Sequence, residues 1–88
     1  MHEQLQVDRE EQEAMKARVR EMIAANTTYD GIREGLEGLG FRAKEDRPAL
    51  ALWENSGHEL FVMVHMDPKT GVLRDYDVKT FEETEGFE

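Results

Sequence analysis

Apolar residues recur every three or four positions in the first half of the chain and gather into short strand-length stretches in the second. The periodicity changes from helical to strand-like near Gly40. Met15, Val19, Met22 and Ile23 form one stripe of an amphipathic helix, and no Gly or Pro interrupts the run before Ala25. Asp8 is placed as its N-cap, with Glu11 three residues on in capping-box position, and Asn26 as its stop. The first turn, Arg9 to Glu13, is polar and projects into solvent in this reading. Thr27 or Thr28 begins a second helix with Tyr29, Ile32, Leu36 and Leu39 on its apolar side and Gly40 at its end. Gly31, Gly35 and Gly38 lie on one face of that helix. Each costs about 1 kcal/mol relative to Ala inside a helix. They are therefore expected to form a smooth face for close packing, with a docking groove as the alternative.

Beyond Gly40, Phe41 to Lys44 alternates, and Glu45, Asp46, Arg47 and Pro48 make a turn. Residues 49–53, 59–66 and 72–78 are the expected strands. Asn55, Ser56 and Gly57 form the first hairpin loop, and Asp67, Pro68, Lys69, Thr70 and Gly71 the second. A three-residue loop with Gly57 left-handed pairs Glu54 with His58, Leu52 with Leu60 and Leu50 with Val62. Placing Met66 opposite Val72 then pairs Val62 with Tyr76 and Leu60 with Val78. Leu50, Leu52, Leu60, Val62, Val64, Met66, Val72, Tyr76 and Val78 share one face, with Arg74 the misfit. A one-residue slip would move a strand's whole set to the other side.

The opposite face then carries Ala49, Ala51 and Trp53, then Glu59, Phe61, Met63 and His65, then Leu73, Asp75 and Asp77. Both helical stripes are needed to cover the first face. The second is left open, an apolar cluster with a carboxylate edge. Large apolar patches seldom stay exposed, and aromatic residues and Met are enriched at interfaces. Trp53, Phe61, Met63, His65, Leu73, Asp75 and Asp77 are therefore the candidate partner-binding residues. A segment through Leu5 and Val7 folding over the face is the competing expectation.

With 88 residues the chain has room for one small domain. It carries 20 acidic and 11 basic residues, a net charge of −9. Glu3, Asp8, Glu10, Glu11 and Glu13 against Arg9 give −4 in residues 1–13, and Glu82, Glu83, Glu85 and Glu88 give −4 in residues 80–88. The 66 residues between them hold 11 acids and 10 bases. The acidity is thus expected to reside in two solvated ends, 1–13 and 80–88, of which 1–8 and 80–88 are expected to be frayed. It disfavours direct contact with nucleic-acid phosphate or anionic lipid. Cysteine is absent, which removes disulfides and thiol chemistry and fits a reducing, cytoplasmic setting. The longest apolar run, residues 60–64, cannot span a bilayer, and no signal-peptide pattern opens the chain.

Little here suggests catalysis. Ser56 sits in a turn, and no Gly-rich loop leads from a strand into a helix. His58 and His65, seven apart on one expected strand, point to opposite faces and cannot share a metal. His65 with Asp75 and Asp77 is a loose candidate cation site, expected instead to be solvated. No cofactor is expected. The order helix, Leu39, Gly40, Phe41, strand, strand, with the run Phe61 to His65, loosely resembles the HicA-type messenger-RNA interferase toxins over about residues 30–66. The family's catalytic histidine would fall near Arg47, Pro48 and Ala49, where none stands, and the basic charge of those toxins is missing. The likeness implies shared α/β patterning rather than membership.

These features predict an α+β domain, with two N-terminal helices on one face of a three- to four-stranded antiparallel meander. The expected function is that of a non-catalytic, acidic protein-binding module. An inhibitor, adaptor or regulatory protein of the kind found among small bacterial or phage proteins would fit. Its partner would be a protein with a basic surface, or a second copy forming a homodimer through the open face. A small-ligand or divalent-metal module is the alternative, with a nucleic-acid mimic behind it.

Overall fold

The computed structural model describes residues 9–84. Helix α1 spans Arg9–Ala24 and α2 Tyr29–Gly38, followed by strands β1 (Arg42–Asp46), β2 (Leu50–Asn55), β3 (Leu60–Met66) and β4 (Leu73–Thr80) and a short α3 (Phe81–Thr84). The sheet is antiparallel, in the order β1-β2-β3-β4. This is the expected α+β arrangement, with four strands. Asp8, Leu5 and Val7 lie outside the described residues.

Met15, Val19 and Ile23 of α1 are buried, as their spacing requires. Asn26 ends the helix by donating from Nδ2 to the Met22 carbonyl at 2.8 Å, which satisfies one carbonyl of the last turn. Thr28, extended at φ −121°, precedes α2 without a side-chain cap. The sheet supplies the missing partner instead. The Tyr29 N–H donates to the Gly71 carbonyl at 2.8 Å, and the Leu73 N–H returns a bond to the Thr27 carbonyl at 2.9 Å. At the far end, Gly40 takes φ 91°. The Gly40 N–H then reaches the Glu37 carbonyl and the Phe41 N–H the Leu36 carbonyl, at 3.1 and 2.9 Å. This is a Schellman end, sealed by buried Leu36 and Phe41.

The hairpin between β2 and β3 departs from the expected register. Its turn has four residues, 56–59, so Asn55 pairs with Leu60, Trp53 with Val62 and Ala51 with Val64. Glu59, at φ 54°, is left-handed; Gly57 is not. The side chain of Asn55, 5% exposed, holds the turn. Its Oδ1 accepts from the His58 N–H at 3.0 Å, and its Nδ2 donates to the Leu39 carbonyl at 3.2 Å. The extra turn residue reverses the two sides of β2. Ala51, Trp53 and Asn55 point toward the helices, and Leu50, Leu52 and Glu54 point away. His58 lies in the turn rather than on the strand with His65.

Strand β4 is shifted by two residues from expectation, which preserves its sides: Val62 pairs with Val78 and Val64 with Tyr76. An irregularity between His65 and Met66 then brings Leu73 opposite Met66. The core lies between the helices and the inner face of the sheet, where Ile32 and Leu36 meet Trp53, Leu60, Val62 and Val64. Trp53 is 2% exposed, and its Nε1–H donates to the Tyr29 hydroxyl at 2.9 Å. Burial pushes the Tyr29 hydroxyl pKa above its ordinary value.

The glycine face of α2 is close-packed at two of three positions. A Cβ at Gly31 would run into the Asn26 side chain, and one at Gly35 into the Met22 side chain. Gly38 has nothing near it and does not belong to the packed face. Residues 80–84, expected as part of a solvated end, form an ordered turn. The Thr80 N–H donates to Glu83 Oε1 at 2.7 Å, and the Glu83 N–H to Thr80 Oγ1 at 3.1 Å, a capping box.

Two outcomes test this packing. Trp53→Ala should cost about 3–5 kcal/mol and Leu52→Ala less than about 1.5 kcal/mol, measured by urea denaturation followed by circular dichroism. The reverse ranking would restore the three-residue hairpin. Gly38→Ala should stabilise by about 0.5 kcal/mol through helix propensity, whereas Gly31→Ala should destabilise and lower the melting temperature.

Candidate functional site

Among the described residues, neither α1 nor α2 covers the outer face of the sheet. Three cross-strand rows build it. Leu50, His65 and Asp75 form one, Leu52, Met63 and Asp77 the next, and Glu54, Phe61 and Lys79 the third. On the β1 side, Arg42 pairs with Glu54 and Glu45 with Leu52. Strand β3 makes this possible by strict alternation: Leu60, Val62, Val64 and Met66 are buried, while Phe61, Met63 and His65 turn outward. Leu50, Leu52 and Phe61 are half-buried and Met63 is 37% exposed. The result is an apolar strip across β2 and β3.

Charged pairs border the strip. Lys44 Nζ lies 3.7 Å from Glu54 on one side, and Lys79 Nζ 3.7 Å from Asp77 on the other. Such exposed pairs contribute at most about 1 kcal/mol each. They leave the Asp75 carboxylate bonded to the Tyr76 N–H at 2.8 Å. At one end of the strip, the ring of Phe81 stacks on Phe61 with centroids 4.6 Å apart and planes at 30°. The Phe81 N–H donates to the Glu59 carbonyl at 2.9 Å, prolonging the β3–β4 ladder by one step.

Of the sequence-derived site residues, Phe61, Met63, His65, Asp75 and Asp77 share this face. Trp53 does not: the reversed β2 buries it in the core against Tyr29. Leu73 does not either, because the irregularity in β4 turns it against the core cluster. Leu50 and Leu52 take their places. Nothing in residues 49–53, apolar at every position, marks which set faces out. Phe81 also joins the face, although its setting among the glutamates of the acidic end gives no sign of this.

A second concavity opens beside the start of α2, a shallow cleft of about 360 Å³ lined by Tyr29, Arg33, Asp46, Arg47, Pro48 and Pro68 among others. Its charges are already matched. Arg33 meets Asp46 at 3.3 Å, with its guanidinium 5.2 Å from the centre of the Tyr29 ring, and Arg47 meets Glu45 at 3.6 Å. Asp67 pairs with Arg74 at 3.6 Å, and the Lys69 and Thr70 backbone N–H groups hold its carboxyl below the usual carboxylate range. His65 and Asp75 face each other, but Asp77 sits a row away. Among the described residues, no group of three or more His, Cys, Asp or Glu side chains is placed to hold a metal ion. No described helix is long and apolar enough to cross a membrane. No protein family, curated protein or solved structure matches the chain.

The Thr80 N–H, and after it the Lys16 and Lys79 cations, hold the Glu83 carboxyl below its ordinary value. A lowered carboxyl pKa stabilises the capped turn above the free-glutamate range, and that stabilisation disappears as pH falls through the lowered value. The exchange rate or shift of the Thr80 amide should therefore change with a midpoint below that of a free glutamate, about 4.3. NMR titration checks this, and Glu83→Gln should remove the transition.

Proposed function

We propose that this chain is a non-catalytic protein-binding module that acts through the outer face of its sheet. The observation that carries the reading is the strip of Leu50, Leu52, Phe61 and Met63 on the face opposite α1 and α2. An apolar strip bordered by charge is the composition of an interface centre with its rim. The partner this face fits is a protein with an apolar centre of its own and basic groups set against Asp75 and Asp77. Lys79 already pairs with Asp77, so the stronger demand for a cation is at Asp75. Occupying a partner's surface in this way suits an inhibitor, adaptor or regulatory protein. The net charge of −9 favours a basic protein over phosphate, and the lack of cysteine suits a cytoplasmic setting. A small-ligand module using the cleft at Tyr29 and Arg33 is the weaker reading, because the charged groups there are spent on one another.

The test places a photo-crosslinking phenylalanine at Met63, and separately at exposed Arg18 on α1, in the native host. Position 63 should give a discrete adduct that position 18 does not. Leu52→Lys in the same chain should reduce it about tenfold or more, with folding verified by circular dichroism. Adduct mass separates a second copy from another protein. The same products from both positions, or indifference to Leu52→Lys, would overturn the reading.

A further inference from the structure

The end of β4 crosses from one side of the sheet to the other. Phe81 lies on the outer face against Phe61, and Glu83, two residues on, reaches back to α1 on the inner side. There Lys16 is unusual. It is 8% exposed in a helix whose other buried residues are apolar, and its Nζ sits between Glu13 at 3.7 Å and Glu83 at 3.8 Å. Its aliphatic stem packs while its ammonium meets the two carboxylates. The same Glu83 carboxylate caps the Thr80 N–H, so one group both shapes the turn and ties it to α1. On the outer face, stacking covers one side of the Phe61 ring, whereas its neighbour Met63 stays exposed.

We propose that residues 80–84 form a releasable strap, latched by Lys16 and Glu83, that keeps Phe81 over the Phe61 end of the docking face. This rests on the reading of that face as a docking surface and adds its regulation. The latch is made to give way. Its ion pair is long and its Glu83 partner is half exposed, so the short turn is held less firmly than the strands beneath, which are fixed by the core. A partner that brings its own aromatic or branched side chain to Phe61 displaces Phe81, and the face grows from the exposed Met63 toward the hairpin.

Hydrogen exchange and dye binding on the full chain test this, with Lys16→Met and Glu83→Gln as variants. Lys16→Met keeps the packed stem and removes the charge. In each variant, exchange at the Phe81 amide should rise about two- to fivefold. The Val62 and Val64 amides of the core strand should stay unchanged, which certifies the fold. Binding of the apolar dye bis-ANS should rise in parallel, and adding Met63→Lys should cancel the rise. Unchanged Phe81 exchange in both variants would overturn the latch. Freed Phe81 with no gain in dye binding would overturn the covering role. Failure of crosslinking at Met63 bears on the docking surface alone, since the exchange measurement needs no partner.

Discussion

Two of the hydrogen bonds of the Asn55 side chain decide which residues of β2 face away from the helices. One closes the four-residue turn onto His58; the other ties that turn to the Leu39 carbonyl at the end of α2. Asn55 can make the second bond only if it points toward the helices. Trp53 and Ala51, two and four residues earlier, must then point the same way. Trp53 in turn needs a partner for its indole N–H, and Tyr29 in the first turn of α2 provides it. The start of α2 is itself bonded to the β3–β4 turn through Gly71. Both ends of α2 are thus fastened to hairpin turns, and the helix and the strand register specify each other.

Much of this was legible from the residues. The stripe of Met15, Val19 and Ile23, the stop at Gly40, the turn at Asp67 to Gly71 and the strand-length apolar run of β3 all carry strong local signals, and the structure contains each of them. The sidedness of β2 was not legible, because Ala49 to Trp53 is apolar throughout and either parity buries something suitable. Only the length of the turn distinguishes them. Gly57 invites a left-handed loop position that Glu59 in fact occupies. Phe61, Met63, His65, Asp75 and Asp77 share a face as expected because β4 alternates apolar and polar residues and pairs with β3 in the expected parity, whereas the parity of β2 rests on the hairpin turn and places Trp53 on the other side. Acidic composition likewise concealed Phe81 and the capping box formed by Thr80 and Glu83, since a run of glutamates reads as solvated whatever lies beside it.

The edges of the sheet also bear on whether another chain could add a strand to it. Strand β1 is exposed along its length, short and irregular between Ala43 and Glu45, which discourages an added strand. On β4, the Leu73 N–H is taken by Thr27, the Tyr76 N–H by the Asp75 carboxylate and the Thr80 N–H by the Glu83 carboxylate. Three donors of that edge are thereby satisfied within the chain, two of them by acidic side chains. Acidic residues that composition alone presents as surplus charge therefore close an edge against strand pairing. Contact through the face is the route left less guarded.

Among the described residues that face stays largely open, for a reason that begins with size. The chain has two helices of more than one turn among its described residues, and the buried residues of both are committed to the inner side of the sheet. A four-stranded sheet has two faces, and β3 must turn every second residue outward. A solvated outer face would place polar residues at those positions, as β4 does with Asp75, Asp77 and Lys79. Strands β2 and β3 instead put Leu50, Leu52, Phe61 and Met63 there, and the short turn after β4 shields only the Phe61 end. Among the described residues, therefore, only Phe81 packs on the apolar strip, and its Met63 part stays exposed.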